Sequence, residues 1–282
     1  MLRGLYTATA GMVTQQRRTE MLTNNMANST TPGYKADQAS VRAFPEMLLQ
    51  RMDNKSPSAK NGMGYYGSTT IGPINTGAYL QEISSQFAQG SLKETGLLSD
   101  VALIEEAVPL NPETNVKGAL LFAVGNAEGQ ERYTRNGHFT LADNGTLLSD
   151  GNAVLSTTGE PISIQTSNYQ IAADGSIYNL DLPPGEQFIA QIDVRFEEDV
   201  RNLIKEGNGM YRTANEAPLP TALNDENLRY TVRQNYVENS TVDVGRTYTD
   251  MMTAYRSFEA NQKVLQAYDK SMDKAVNEIG RL

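Results

Sequence analysis

Few side chains in this sequence have the chemistry that catalysis requires. The 282 residues include one histidine, His138, and no cysteine. Without cysteine there are no thiolate nucleophiles, disulfides or zinc-thiolate sites. A serine-histidine-aspartate triad or a metal site would rest on His138 alone, because no Gly-x-Ser-x-Gly elbow occurs and zinc needs several strong ligands. We therefore expect His138 to be structural.

Two other patterns match chemical motifs in spacing but lack the context that the chemistry needs. The segment Gly62 to Gly67 fits Gly-x-Gly-x-x-Gly, but both of its flanks are polar loop, whereas a dinucleotide site needs a strand before it and a helix after it. The pair Glu105 and Glu106 could supply carboxylates for sugar hydrolysis. The chain has no tryptophan and only 7% aromatic residues to line a sugar cleft, so a solvated acidic surface is the better interpretation. We predict no catalytic residue, no cofactor and no metal.

Charge and hydropathy argue against two classes of partner. The net charge is −9, and residues 61–240 hold 23 acidic and 10 basic side chains, whereas nucleic-acid binding depends on lysine and arginine. The longest apolar run, Ala119 to Val124, is far shorter than the roughly 20 residues of a membrane helix. We predict no nucleic-acid partner and no direct membrane insertion. No cleavable signal is recognised, so composition leaves cytoplasmic residence and export of an uncleaved chain both open.

Long helices are expected at both ends of the chain. The first spans Leu2 to Ala27, and the second begins after an N-cap at Asp243 or Thr241 and runs almost to the last residue. On both, apolar or small residues recur at alternating steps of four and three, which is typical of helices that pack lengthwise on other helices. The predicted assembly seam comprises Leu5, Ala8, Gly11, Met12, Leu22, Met26, Val244, Tyr248, Met251, Tyr255, Phe258, Leu265, Met272, Val276 and Ile279. Periodicity alone also allows two ordinary core helices of a globular domain.

Between the helices the pattern changes to short strands. Asp53 to Gly77 is rich in glycine, serine, asparagine and proline, which indicates an extended arm or long loop. From Ala78 to Val237, short apolar segments are separated by turn pairs such as Asp174-Gly175, which are typical of antiparallel hairpins.

The predicted fold class is α+β, with N- and C-terminal helices that form a coiled coil and an antiparallel β-rich domain inserted between them. We divide the chain into a terminal helical axial domain (1–35 plus 238–282), an extended arm or linker (36–77) and a β-rich outer domain (78–237). The coiled coil would bring the two ends of the sequence together, and its remaining apolar edge would need a neighbouring molecule.

Sequence motifs occur in a fixed order along the chain. The N-terminal motif is Leu5 to Met12 followed by Asn24 to Lys35, the central motif is Tyr133 to Phe139, and the C-terminal motif is Val237 to Val244 followed by Met251 to Val264. The motif residues are Asn25, Ala27, Asn28, Thr31, Pro32, Gly33, Tyr34, Lys35, Tyr133, Thr134, Arg135, Gly137, Asn239, Val242, Asp243, Arg256, Glu259 and Asn261. Together the motifs closely resemble those of the bacterial flagellar axial proteins of the rod and hook. The chain length suits a rod subunit better than the usually longer hook subunit, and Asp53 to Gly77 occupies the place where distal-rod proteins have an insertion.

The resemblance implies a structural, non-enzymatic subunit of the flagellar basal-body rod. Such subunits assemble helically into a hollow drive shaft that transmits torque from motor to hook and passes exported subunits. The implied partners are other copies of the chain, neighbouring rod and hook proteins, and the flagellar type III export apparatus. The implied location is the basal body outside the cytoplasm, reached without a cleaved signal peptide.

The chain departs from the family pattern in one segment, and two alternatives stay open. Ile104 to Ala119 contains proline and glutamate where the rod family tends to have a short glycine-rich, aromatic turn. The first alternative is a hook, hook-cap or hook-filament junction protein. The remote alternative is a flagellum-associated cell-wall hydrolase, which would use His138 and the acidic clusters.

Overall fold

The two predicted helices lie at the ends of the chain, with strands between them. The computed structural model describes residues 2–52, 68–112, 114–126, 129–223, 225 and 227–279. Helix α1 is Leu2–Ala27, helix α2 is Val244–Lys274, and a π-helical turn, Ala275–Ile279, follows α2. Asp243 caps α2 as predicted, because its Oδ1 accepts the N–H of Arg246 at 3.0 Å. No helix in these described ranges is long and apolar enough to cross a membrane.

Short strands fill the sequence between α1 and α2. They are β1 (Asp37–Ala43), β2 (Met47–Met52), β3 (Ser68–Ile74), β4 (Ala78–Ser85), β5 (Leu92–Glu94), β6 (Val101–Ala107), β7 (Ala119–Gly125), β8 (Glu131–Thr134), β9 (Phe139–Leu141), β10 (Leu147–Ser149), β11 (Asn152–Val154), β12 (Tyr169–Ile171), β13 (Ser176–Asn179), β14 (Phe188–Gln191), β15 (Val194–Glu197), β16 (Leu203–Lys205), β17 (Met210–Thr213), β18 (Arg229–Gln234) and β19 (Tyr236–Glu238). Two 3-10 turns, Val200–Asn202 and Gly207–Gly209, flank β16.

The chain divides into two compact units, which are described separately. The helical unit comprises Met1–Thr23, Ala39–Ile83 and Tyr248–Leu282, and the β unit comprises Asn24–Gln38 and Ser84–Thr247. The segment 36–77, predicted as an arm, contains β1, β2 and β3, and β2 pairs with β3 in an antiparallel ribbon. The glycine motif from Gly62 to Gly67 lies outside the described residues.

In the β unit, strand β7 is the centre of the largest sheet. It pairs with β8 along one edge, and with β15 and then β11 along the other, all antiparallel. Its side chains alternate between two buried clusters, because Phe122 packs with Phe139 on one face and Leu121 packs with Tyr133 on the other. A strand buried on both faces explains why Ala119 to Val124 is uninterrupted apolar sequence.

The predicted coiled coil of the terminal helices is wrong. Small and polar side chains make the contacts between α1 and α2: the Tyr268 hydroxyl lies against Gly4, and the amide of Asn261 lies against Gly11. Another part of α1 packs on strand β4, where Thr14 Oγ1 donates to a backbone carbonyl at 2.9 Å. Because α1 shares its buried surface between a helix and a strand, it has no single apolar face for heptad packing. The fold is α+β, with one helix at each end of a β-rich sequence.

Candidate functional site: a buried charged junction

Four segments that are distant in sequence meet in the β unit. They are the turn after α1, strand β6, the end of β8, and β19 with the residues that follow it. The turn can approach β8 because Gly33 has φ +68° and no side chain; a Cβ there would overlap the carbonyl of Arg135. The N–H of Gly33 also donates to the carbonyl of Glu238 at 2.7 Å. We refer to the side chains of Lys35, Glu105, Arg135 and Glu238, which meet at this point, as the charged junction.

The junction is a continuous network of short, charged hydrogen bonds. Lys35 Nζ lies 2.7 Å from Glu238 Oε1, and Arg135 Nε lies 2.7 Å from Glu238 Oε2. Arg135 Nη1 donates to Glu105 Oε1 at 2.9 Å. Lys117 extends the network outward, because its Nζ donates to Glu105 Oε2 at 2.6 Å. Each junction side chain is at most 3% exposed, whereas that of Lys117 is 43% exposed.

Backbone groups satisfy further polar atoms of the junction. Lys35 Nζ donates to the carbonyl of Ala88 at 2.6 Å, and the N–H of Gly90 donates to Glu238 Oε1 at 2.6 Å. Backbone carbonyls on β6 and β7 accept from the Arg135 guanidinium at 2.9 and 2.6 Å. Buried charges are tolerated when they are both paired and hydrogen-bonded, and these four meet both conditions.

The charged groups of the junction shift one another's pKa values. Burial acts to raise the pKa of Glu238, but Arg135 and Lys35 outweigh it and hold this pKa below its usual value. Burial and the nearby Arg135 lower the pKa of Lys35, and Glu238 opposes that change. The junction holds two cations and two carboxylates, so it has no net charge.

Tyr34 forms a second layer beside the junction. Its hydroxyl lies 2.8 Å from Asn24 Oδ1 and 3.2 Å from Asn25 Oδ1. Lys205 Nζ lies over the Tyr34 ring, 3.9 Å from its centroid, and 3.0 Å from Asp37 Oδ2. Burial raises the pKa of Tyr34, and Asp37 raises it further. The turn after α1 is therefore held by an aromatic ring and charged groups as well as by the junction.

The junction offers interactions that hold segments together rather than a reaction. Its carboxylates and cations are bound to one another, and no group of three or more metal-ligating side chains occurs among the described residues. A cavity of about 280 Å³ opens elsewhere in the β unit beside Arg132 and Arg212. Both arginines are paired with Glu206, at 2.9 and 3.1 Å. His138 Nδ1 lies 2.7 Å from Asp100 Oδ1, which gives this histidine a structural partner.

The structure brings most of the motif residues into one unit. The β unit contains Asn25, Ala27, Asn28, Thr31, Pro32, Gly33, Tyr34, Lys35, Tyr133, Thr134, Arg135, Gly137, Asn239, Val242 and Asp243. Arg256, Glu259 and Asn261 lie on α2 in the helical unit. The second part of the N-terminal motif, Asn24 to Lys35, therefore meets the central motif and the first part of the C-terminal motif.

The predicted seam residues differ widely in exposure. Ala8 and Leu22 are buried; Leu5, Gly11, Met12, Met26, Met251, Phe258, Leu265 and Met272 are half-buried; and Val244, Tyr248, Tyr255 and Val276 are exposed. The side chain of Ile279 lies outside the described part of the chain. Ala254, Asn261 and Tyr268 of α2 contact α1. They are spaced by seven residues, and Ala254 directly precedes Tyr255, so they occupy the heptad position before that of Tyr255. Val244, Tyr248 and Tyr255 therefore form a separate stripe on α2, and Val276 lies in the π-helical turn that follows it.

Sequence reasoning missed the role of Glu105. It was interpreted as part of a solvated acidic surface, but its side chain is 3% exposed. Strand alternation gives a usable signal, because Val101, Leu103 and Glu105 share one face of β6. A carboxylate that continues an apolar strand face needs a buried cation, and Arg135 is that cation.

Three family profiles match the chain. They are described as "Flagella basal body rod protein" at residues 5–35, "Flagellar hook protein FlgE/F/G D1 domain" at residues 115–179, and "Flagellar basal body rod FlgEFG protein C-terminal" at residues 233–278. The first and third profiles contain Lys35 and Glu238, and the second contains Arg135.

Similar proteins span the whole chain. The flagellar hook-basal body complex protein FlhO of Bacillus subtilis (strain 168) is 50% identical over 282 residues and covers 100% of both chains. The flagellar basal-body rod protein FlgG of the same strain is 27% identical over 98% of this chain and 99% of its own. The flagellar basal-body rod protein FlgF of Caulobacter vibrioides is 26% identical over 100% of both chains.

Proposed function

This chain belongs to the family of flagellar basal-body rod and hook proteins, and from that premise we propose that it is a subunit of the rod. It is a structural subunit of the rod or of the hook-basal body complex. In the proposed role, copies of the chain and related rod proteins stack helically into a hollow shaft. The shaft transmits torque from motor to hook and passes exported subunits.

The observation that supports stacking is the exposed apolar stripe on α2. Tyr248 is 55% exposed and Tyr255 is 51% exposed, although both lie on a long, regular helix. Val276, in the π-helical turn after α2, is also apolar and is 71% exposed. Large apolar side chains in a row on a helix gain free energy when a neighbouring surface covers them. We propose that the stripe contacts neighbouring subunits and that the half-buried seam residues support it from within the unit.

Substitution of the stripe tests this proposal directly. Tyr255→Asp places a charge in the proposed contact, which should cost several kcal/mol on assembly, on the order of the penalty for burying an unpaired charge. The matched control is Ala260→Asp, an exposed position on α2 that lies about 140° around the helix axis from Tyr255 and so outside the stripe. We expect rods and motility from the control and neither from Tyr255→Asp, with equal thermal stability of the two purified monomers. Normal rods from Tyr255→Asp would refute the role of the stripe.

A role in the hook or the hook junction is the second candidate. One matching profile is named for the hook protein, and the relative with 50% identity is named as a hook-basal body complex protein. A deletion strain separates the two roles. A rod subunit leaves basal bodies that stop within the rod when it is missing. A hook or junction subunit leaves complete rods.

We also propose that the chain is not an enzyme and that it leaves the cytoplasm through the flagellar type III export apparatus without cleavage. Membership of the flagellar rod and hook family supports this proposal. Mass spectrometry of the protein from purified basal bodies should show an N-terminus that begins within the first residues of α1. A processed N-terminus beyond α1 would contradict uncleaved export.

A further inference from the structure

Two segments of the β unit, one following α1 and one preceding α2, lie side by side. The entry segment is residues 33–36, after α1, and the exit segment is residues 238–241, before α2. The N–H of Gly33 donates to the carbonyl of Glu238 at 2.7 Å, and the N–H of Thr241 donates to the carbonyl of Tyr34 at 3.0 Å. The N–H of Ala36 donates to Thr241 Oγ1 at 2.9 Å. Residue numbers rise together along both segments, so the segments run parallel.

The parallel arrangement of the two segments determines how they respond to a pull on the two helices. A pull through α1 acts on the entry segment before Gly33, and a pull through α2 acts on the exit segment after Thr241. These points lie at opposite ends of the parallel pair, so the pull slides one segment along the other. All the bonds between the segments then carry the load at once, whereas peeling an antiparallel hairpin breaks its bonds one at a time.

The charged junction adds side-chain contacts to this pair of segments. The Lys35–Glu238 ion pair joins the entry segment to the exit segment at 2.7 Å and is shielded from water, because both side chains are 2% exposed. Arg135 holds the other oxygen of the Glu238 carboxylate at 2.7 Å. On its far side the exit segment is fixed by the N–H of Asn239, which donates to the carbonyl of Ser91 at 2.9 Å. Sliding the exit segment therefore breaks backbone bonds and buried ion pairs together.

We propose that the entry and exit segments, with Lys35, Arg135 and Glu238, form a mechanical clamp that keeps the β unit folded when force is applied through α1 and α2. The clamp is a property of the folded chain. Its use in a torque-bearing shaft rests on the proposed function.

Single-molecule unfolding of the full-length monomer tests the clamp. The chain has no cysteine, so handles can be placed at Ala27→Cys and Val244→Cys, two exposed positions outside the clamp. A second pair, Glu160→Cys and Glu186→Cys, loads exposed positions of the same unit without pulling on the clamp. Forced unfolding reports the unfolding rate rather than equilibrium stability.

With the first pair of handles, Glu238→Gln should speed unfolding at constant force about tenfold or more, since it removes the shared carboxylate charge from a buried network. With the second pair the same substitution should change the rate by less than about threefold, because the clamp is not on the loaded path. Thr241→Val removes the acceptor of the Ala36 N–H and leaves the ion pairs in place. It should give a smaller change in the same direction, and it keeps the test available if Glu238→Gln does not fold.

The matched control is Ile192→Ala, which opens a cavity in the core of the β unit at a fully buried position. It should speed unfolding with the second pair of handles much more than with the first. Equal effects of Glu238→Gln with both pairs, or an equal effect of Ile192→Ala with the first pair, would overturn the clamp. That outcome would leave the rod assignment intact, because the measurement is made on a monomer and the assignment is decided by the deletion strain.

Discussion

Replacing Glu238 with glutamine removes the charge on which both cations of the junction depend. The carboxylate is 2% exposed and lies 2.7 Å from Lys35 Nζ and from Arg135 Nε. Arg135 keeps Glu105 as a partner, whereas Lys35 keeps only the carbonyl of Ala88 among its bonds within the junction. Breaking a buried ion pair by removing one partner costs about 3–5 kcal/mol. Because one cation remains paired, we expect about 3 kcal/mol for Glu238→Gln.

Urea unfolding of the purified monomer at pH 7 measures this cost. For a slope of about 2–3 kcal/mol per molar urea, the midpoint should fall by about 1 M. The control is Lys117→Met, which removes the exposed end of the same network and should cost less than about 1 kcal/mol. Equal midpoints for Glu238→Gln and the wild type would refute the reasoning, since the buried cations would then not depend on the charge of Glu238.

The pH dependence gives an independent check of the same carboxylate. Arg135 and Lys35 hold the folded-state pKa of Glu238 below its usual value of 4.5 despite burial. A group with a lowered folded pKa adds stability above its unfolded pKa and loses it as pH falls through the folded pKa. The wild-type advantage over Glu238→Gln should therefore be full at pH 6–7, begin to shrink below about pH 4.5, and continue to shrink at lower pH. An advantage that grows on acidification would contradict this assignment of the pKa direction.

Three further substitutions test the surroundings of the junction and the helices. Gly33→Ala forces a Cβ onto a backbone carbonyl at positive φ and should cost at least about 1–3 kcal/mol in urea unfolding; a neutral effect would show that the turn can move. Asp243→Ala removes the acceptor of the Arg246 N–H and should cost about 1 kcal/mol in thermal unfolding, whereas Asp243→Asn should be nearly neutral. Gly11→Leu meets the Asn261 amide, 2.9 Å from an added Cβ, and should cost about 1–3 kcal/mol of helix docking; unchanged protease resistance of the helical unit would contradict a close contact.

The sequence was sufficient to locate the helices but not to orient them. The bounds of α1, Leu2–Ala27, and the cap at Asp243 follow from local capping and turn chemistry. The four-three repeat on α2 identified Met251, Phe258 and Leu265, which are half-buried. It did not identify Ala254, which is 1% exposed and packs with Met21 and Leu22 of α1. A sequence repeat predicts which residues share one face of a helix. The surface that packs against the helix determines which neighbouring residues are also buried.

Strands were predictable where turn chemistry was strong. Asp174-Gly175 joins β12 to β13 in an antiparallel pair, as that dipeptide indicates. The signal is weaker at β2, which pairs with β3. Its apolar run, Met47 to Leu49, is compatible with a helix or a strand, and the pairing partner lies beyond residue 67. The local sequence pattern of β2 therefore does not predict that it pairs with a strand distant in sequence.

The junction shows why motif residues can be recognised in sequence while their physical role stays hidden. Lys35, Arg135 and Glu238 are separated by 100 and 103 residues, so no periodicity relates them. A buried ion network is poor at adding net stability, because desolvation offsets most of the Coulomb attraction, and apolar residues of equal volume would often do as well. Its geometric requirements are stricter than those of an apolar core, since each donor must meet its acceptor within a few tenths of an ångström. A network of this kind therefore fixes the alignment of the entry and exit segments, and alignment is the property that a subunit carrying load through its two ends requires.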